Sequence, residues 1–244
     1  MPKTSIFPFP IQDLQEISNE RIKLLPFNPD HHGATFIHHA SPNPSIFSNV
    51  TMGPWHSTSE LQAAFYDSHD RDILSFANPA SFAFAIIDKT RPPSADDAEG
   101  ELAGTISYIN TSTVHLSAEL GFVVVLPPYQ RSHVAVNAVG LMMQHAFASR
   151  ESGGLGLRRV CWKASTANSA SVRLAEKMGF VKTGVTRYAM RFPGGARKGK
   201  VGNGRALPPG SDPDDVWRDT VDLSIAWDEW LGGAEEMARA IMSK

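Results

Sequence analysis

A single cysteine, Cys161, in 244 residues removes any disulfide within the chain and any zinc site built from thiolates alone. Charge of one sign is also lacking. With 23 Lys+Arg against 25 Asp+Glu the net charge is −2, so the broad basic field that non-specific nucleic-acid binding requires is missing and nucleic acid is not an expected partner. No apolar run approaches the length of a membrane span, and Met1 to Pro10 (MPKTSIFPFP) lacks the basic and apolar regions of a secretory signal. The expectation is a cytoplasmic chain with no membrane partner. Nineteen glycines and 17 prolines are scattered without a short-period repeat, which excludes collagen, solenoid and low-complexity classes. What remains, 42% hydrophobic and 20% charged residues, suits one core, so residues 1–244 are read as a single domain.

Arg21 to Phe27 reads as a short strand, followed by a His-, Pro- and Asn-rich stretch to Pro54 with at most one short helix near Asp30 to His39. So long an irregular stretch often faces substrate. Ser57 or Thr58 can cap a helix through Glu60 to Tyr66, because Ser/Thr with Glu three residues on resembles a capping box. Phe82 to Ile87 and Leu102 to Ile109 read as an antiparallel hairpin joined by a long turn region, Lys89 to Gly100. Leu116 to Val125 is a third strand stopped by Pro127-Pro128, and helical spacing of Ala135, Val139, Met142 and Ala146 sets a helix from Val134 to about Ala148. Strand, loop and helix then recur: Leu157 to Ala164, followed by Ala170 to Met178 with Gly179 as its C-terminal cap. A strand near Val185 to Arg191 precedes Pro193 to Asp215, a Gly/Pro/Lys/Arg segment expected to be a flexible insertion at 193–215. Strict alternation of Val221, Leu223, Ile225 and Trp227 marks a late strand before a short amphipathic C-terminal helix.

Where a strand feeds a loop at a helix N-terminus, free backbone N–H groups and the helix dipole can hold phosphate. Gln130-Arg131-Ser132-His133-Val134-Ala135 occupies that place, after Glu119-Leu120-Gly121-Phe122-Val123-Val124-Val125 and before Asn168-Ser169-Ala170-Ser171-Val172-Arg173-Leu174-Ala175-Glu176-Lys177-Met178-Gly179-Phe180. In this order the three blocks resemble the GNAT acyl-CoA N-acyltransferase superfamily, and most closely its Rim-type ribosomal-protein N-acetyltransferase branch. The resemblance covers about Arg21 to Arg191 and is densest over Glu119 to Phe180. It implies an α/β GNAT fold, a mixed and mainly antiparallel sheet flanked by helices, and acetyl-CoA as acyl donor.

It further implies direct attack of a primary amine on the thioester, with no protein nucleophile and no metal. Gln130, Arg131, Ser132, His133, Val134 and Ala135 would then contact the pyrophosphate, with Asn168 on the pantetheine arm. Backbone N–H groups of Val123, Val124 and Val125 would polarise the thioester oxygen. Glu119 is the candidate base, since an alkylammonium must lose its proton before attack. Many family members place a tyrosine acid directly after the helix leucine, where Ala175 stands here; Ser171 is the substitute and Tyr188 a reserve. The family's loop glycine is His133 here. These two departures keep open a second class, an acyl-CoA sensor or interaction protein on a decayed site. The acceptor expected by resemblance is a protein N-terminus, with a small-molecule amine as the alternative. The paired histidines His31-His32 and His38-His39 lack a zincin glutamate and are read as solvent- or acceptor-facing.

Overall fold

A computed structural model describes residues 16–66 and 75–244. Eight strands form one sheet: β1 (Ile17–Ser18), β2 (Ile22–Pro26), β3 (Phe82–Asp88), β4 (Glu101–Ser112), β5 (Ser117–Val125), β6 (Arg159–Ser165), β7 (Val181–Phe192) and β8 (Val216–Ala226). Their order is β1-β2-β3-β4-β5-β6-β8-β7, and every neighbouring pair is antiparallel except β5 and β6. Parallel neighbours need a crossover, and helix α3 (Val134–Phe147) supplies it. The late strand enters between β6 and β7, so the sheet is mixed and mainly antiparallel, as the family resemblance implies.

Side-chain alternation fixes what each face carries. Tyr108 on β4 donates its hydroxyl to the Met142 carbonyl of α3 at 2.6 Å, so Tyr108 and its cross-strand partner Leu120 face α3. Leu120 pairs in turn with Trp162 of β6, whose indole meets helix α4 (Ser169–Lys177). Helix α5 (Glu235–Met242) covers the same side, its Met237 lying against the end of α4 at Gly179. Gly179 has φ +95°, the left-handed conformation that closes a helix and favours glycine. Thr105, one of the alternate β4 positions, looks to the opposite face, where helices α1 (Pro29–Ala40) and α2 (Thr58–Tyr66) lie.

Local chemistry accounts for the helix starts. Asn28 caps α1 by accepting from the Asp30 N–H at 2.9 Å. Ser57 Oγ accepts from the Glu60 N–H at 3.2 Å while Glu60 reaches back to the His56 N–H at 2.7 Å, a reciprocal pair that starts α2. Residues 193–215 run along the α1/α2 side and are hydrogen-bonded to it: Lys200 Nζ donates to the carbonyls of Phe47, Val50 and Met52 at 3.0, 2.9 and 2.7 Å, and Val201 N–H to Ser48 at 2.9 Å. The basic residues of this region are mostly engaged, Arg191 with Asp215, Arg197 with Asp214 and Arg205 with Asp219.

Candidate active site

β5 changes partners halfway along. Ser117 to Leu120 pair with β6, whereas from Gly121 onward only β4 remains beside it, and β6 from Lys163 onward pairs only with β8. The two parallel strands therefore splay apart after Leu120 and Trp162. A bulge accompanies the splay, with register slipping between Thr105 and Ser107 and Phe122 at φ +50°. Opposite it sits Gly104, where a Cβ would stand 2.1 Å from the Val124 carbonyl oxygen, so only glycine lets the strands approach this closely. Val123, Val124 and Val125 thus line an open edge within the sheet, where strand N–H groups turned toward β6 meet no ladder partner.

The loop after β5 runs into the N-terminus of α3. Among the described residues, the backbone N–H groups of Arg131, Ser132, His133, Ala135 and Val136 have no acceptor. Five such donors at a helix N-terminus fit a diphosphate. Arg131 holds the turn with φ +60°, is exposed, and its guanidinium has no ion-pair partner among the described residues. His133 stands in ordinary helical backbone at φ −68°, so this loop does not demand a glycine there. Its ring turns inward, Nε2 lying 3.2 Å from Asp88 Oδ1, which leaves its main-chain N–H as what it offers a ligand. Other side chains in the loop brace it. Gln130 donates to the Val125 carbonyl at 3.0 Å, while Ser132 Oγ donates to Tyr129 O and accepts the Val134 N–H.

Glu119 lies on the α1/α2 face, opposite Ile109 of β4, and is 7% exposed, so it is not a solvated surface carboxylate. Asn110 donates to its Oε2 at 3.0 Å, and the Lys163 ammonium is 3.7 Å from the same oxygen. Burial raises its pKa above the usual carboxylate value, and Asn110, Lys163 and Arg218 pull it back in part. Ser171 occupies the other face. Its hydroxyl accepts the Trp162 indole N–H at 3.0 Å and so keeps its own proton to donate. Asn168 caps α4, its carbonyl oxygen accepting the Ser171 N–H at 3.1 Å, and its amide N–H groups remain for a ligand. The base and acid candidates therefore flank the splay from opposite faces. Tyr188 is turned away, its hydroxyl bonded to the Ala206 carbonyl at 3.0 Å. Burial pushes the Cys161 thiol up, which suits packing better than nucleophilic chemistry.

Three features escaped the linear reading. Arg218 is buried on β8, donating to Thr220 Oγ1 at 3.0 Å and reaching the Asn49 carbonyl. Ser107, 1% exposed beside the bulge, has a hydroxyl with no partner among the described residues. A small apolar pocket opens on the α1/α2 face between Thr105, Phe122 and Val124 of the bulge and the rings of Phe36, Phe47 and Trp55. His31, His32, His38 and His39 lie on α1, and among the described residues no three or more His, Cys, Asp or Glu side chains gather to hold a metal ion.

The sequence profile of the family described as "Acetyltransferase (GNAT) domain" matches residues 21–181, which span β2, the splay, the loop and α4. The chain belongs to the GNAT acetyltransferase family. Within it, a Bacillus subtilis protein named "Uncharacterized N-acetyltransferase YoaA" is 36% identical over 90 residues, a match that takes in 37% of this chain and about half (48%) of that relative. Solved GNAT structures share the architecture. A GCN5-related N-acetyltransferase from Brucella melitensis superposes with TM-score 0.69 over 97% of this chain and 89% of its own, at 23% identity. Mycobacterium smegmatis RimJ in complex with CoA-disulfide does so with TM-score 0.63 over 90% and 88%, at 16% identity.

Proposed function

We propose that the chain is an acetyl-CoA-dependent N-acetyltransferase that acts by direct attack of a primary amine on the thioester. The observation that carries this reading is the splay of β5 from β6 directly upstream of a loop with five unpaired N–H groups. In this reading the loop amides and Arg131 bind the diphosphate, and N–H groups of Val123 to Val125 face the thioester oxygen, where negative charge develops. Asn168, through its amide N–H groups, binds the pantetheine arm. Acetyl-CoA supplies the activated acyl group; the remaining work belongs to side chains of this chain.

Glu119 takes the proton from the attacking ammonium, directly or through one water, and its burial matches that role by bringing its pKa toward neutrality. The new C–N bond forms as the C–S bond breaks, the nitrogen gives up its second proton, and the departing sulfur is protonated through the Ser171 hydroxyl so that CoA leaves as the thiol. Because Glu119 and Ser171 stand on opposite faces, the thioester must lie in the splay between them, with the amine arriving from the Glu119 side. The resemblance of the three sequence blocks to the Rim-type branch favours a protein N-terminus as acceptor, with a small amine as the alternative. Release of free CoA from acetyl-CoA, followed with a panel of N-terminal peptides and small amines, tests the reading. Amine-dependent release supports it, and its absence across the panel despite acetyl-CoA binding would favour a sensor role.

A further inference from the structure

The last rung joining β5 to β6 is Leu120 with Trp162, so Gly121 and Lys163 are the first residues on either bank of the splay. Trp162 turns its indole to α4, and alternation sends the Lys163 side chain to the opposite face, where Glu119 lies. There the Lys163 ammonium stands 3.7 Å from Glu119 Oε2, with about half of its side chain exposed. Among the described residues it has no other ion-pair partner and donates no hydrogen bond. Asp222, its cross-strand neighbour on β8, is instead bonded by the Thr186 hydroxyl at 2.8 Å. On the facing bank Gly121 adds no side chain. Lys23 and Lys89 are bound to acids of the turn between β3 and β4, and Lys200 to three carbonyls, so among the described lysines only Lys163 brings a primary amine to the proposed base.

We infer, resting on the acetyl-transfer reading above, that Lys163 is a self-acetylation site, its own ε-amine taking the acetyl group from acetyl-CoA when no other amine occupies the splay. The ammonium already sits where an attacking amine has to give its proton to Glu119, and its flexible four-carbon arm can swing from that carboxylate toward a thioester held in the splay. Attack within one complex needs no second encounter, so proximity favours it over reaction at any distant lysine. Glu119 takes one proton from the ammonium, the freed nitrogen bonds to the acetyl carbon, and the C–S bond breaks. The nitrogen's second proton balances the one that sulfur gains through Ser171. The products are Nε-acetyllysine and CoA as the thiol, with one proton passing from Glu119 to water. The amide formed is uncharged and leaves Glu119 without its ion-pair partner.

The test incubates the intact protein with acetyl-CoA in buffer free of primary amines and maps acetyl groups by peptide mass spectrometry. Lys163 should acquire the mark about tenfold faster or more than exposed lysines such as Lys177 and Lys182, at a rate per molecule that does not change on dilution. Glu119→Gln should slow the marking by roughly 10²-fold or more while still binding acetyl-CoA. Acetylation spread evenly over the exposed lysines, a mark at Lys163 unslowed in Glu119→Gln, or a rate that rises with protein concentration would overturn the inference. Amine-dependent CoA release by a protein whose Lys163 stays unmodified would also overturn it, while leaving the transfer reading intact. A Glu119-dependent mark without turnover of any added amine retains self-acetylation and confines transfer to this lysine. Neither mark nor CoA release, with acetyl-CoA bound, rejects both.

Discussion

Lowering the pH from 7.5 to 5 should destabilise this protein by about 4 kcal/mol through two buried histidines, about 2 kcal/mol from each. His32 Nδ1 accepts the Asn28 N–H at 3.0 Å, so its proton resides on Nε2, which is buried with no acceptor among the described residues. Protonating Nδ1 would break that bond at the start of α1 and bury a charge, and burial, ahead of the repulsion from His31, lowers its pKa from 6.5 to about 4. His145 on α3, hydrogen-bonded with Tyr108 at 3.1 Å, is lowered to about 4 by burial too. Since the folded value lies below the unfolded one, the unfolded chain takes up protons first as the pH falls through 6.5. Stability drops until about pH 4 and then levels with respect to these groups. Urea unfolding at pH 7.5 and 5, on wild type and His32→Asn, reads the difference directly, because asparagine keeps an acceptor without the titration. The variant should lose about 2 kcal/mol less than wild type over the interval. An identical pH dependence in both proteins would refute the argument for His32.

Glu119→Gln should lower kcat by roughly 10²- to 10⁴-fold with little change in acetyl-CoA affinity. Since burial raises the Glu119 pKa, wild-type kcat/KM should fall with decreasing pH at a value above that of a free glutamate, and the variant should lose that limb. Ser171→Ala should reduce kcat more than acetyl-CoA binding, and the buried Trp162 N–H left unpaired should cost about 1–3 kcal/mol in stability, measured by denaturant unfolding. Lys200→Met should strand three carbonyls and cost about 1–3 kcal/mol in stability, measured by denaturant unfolding. His133→Gly should leave CoA affinity within about twofold, because the ring faces Asp88; calorimetry reads this directly, and a larger change in either direction would place the imidazole at the ligand.

Periodicity made most elements legible. Alternation at Val221 to Trp227, the Pro127-Pro128 stop and the Ser57–Glu60 pair each act within a few residues, and the structure shows β8, the end of β5 and the start of α2 where these signals lie. Long-range partners were less readable. Within residues 193–215, the bonds from Lys200 connect positions about 150 residues apart, which no local pattern records. His133 looked like a misfit against the loop motif because spacing reveals neither its ordinary backbone angles nor its partner Asp88, 45 residues earlier. The aromatic pocket was hidden for the same reason, its rings being spread from Phe27 to Phe122.

In the proposed function, the loop from Arg131 to Val136 and the adjacent splay bind acetyl-CoA. Calorimetric titration of wild type, Glu119→Gln and Arg131→Glu with acetyl-CoA tests it most directly. Saturable one-to-one binding in the micromolar range is expected, retained in Glu119→Gln and weakened at least tenfold in Arg131→Glu. Absence of binding to the wild type, or binding indifferent to the charge at Arg131, would contradict it.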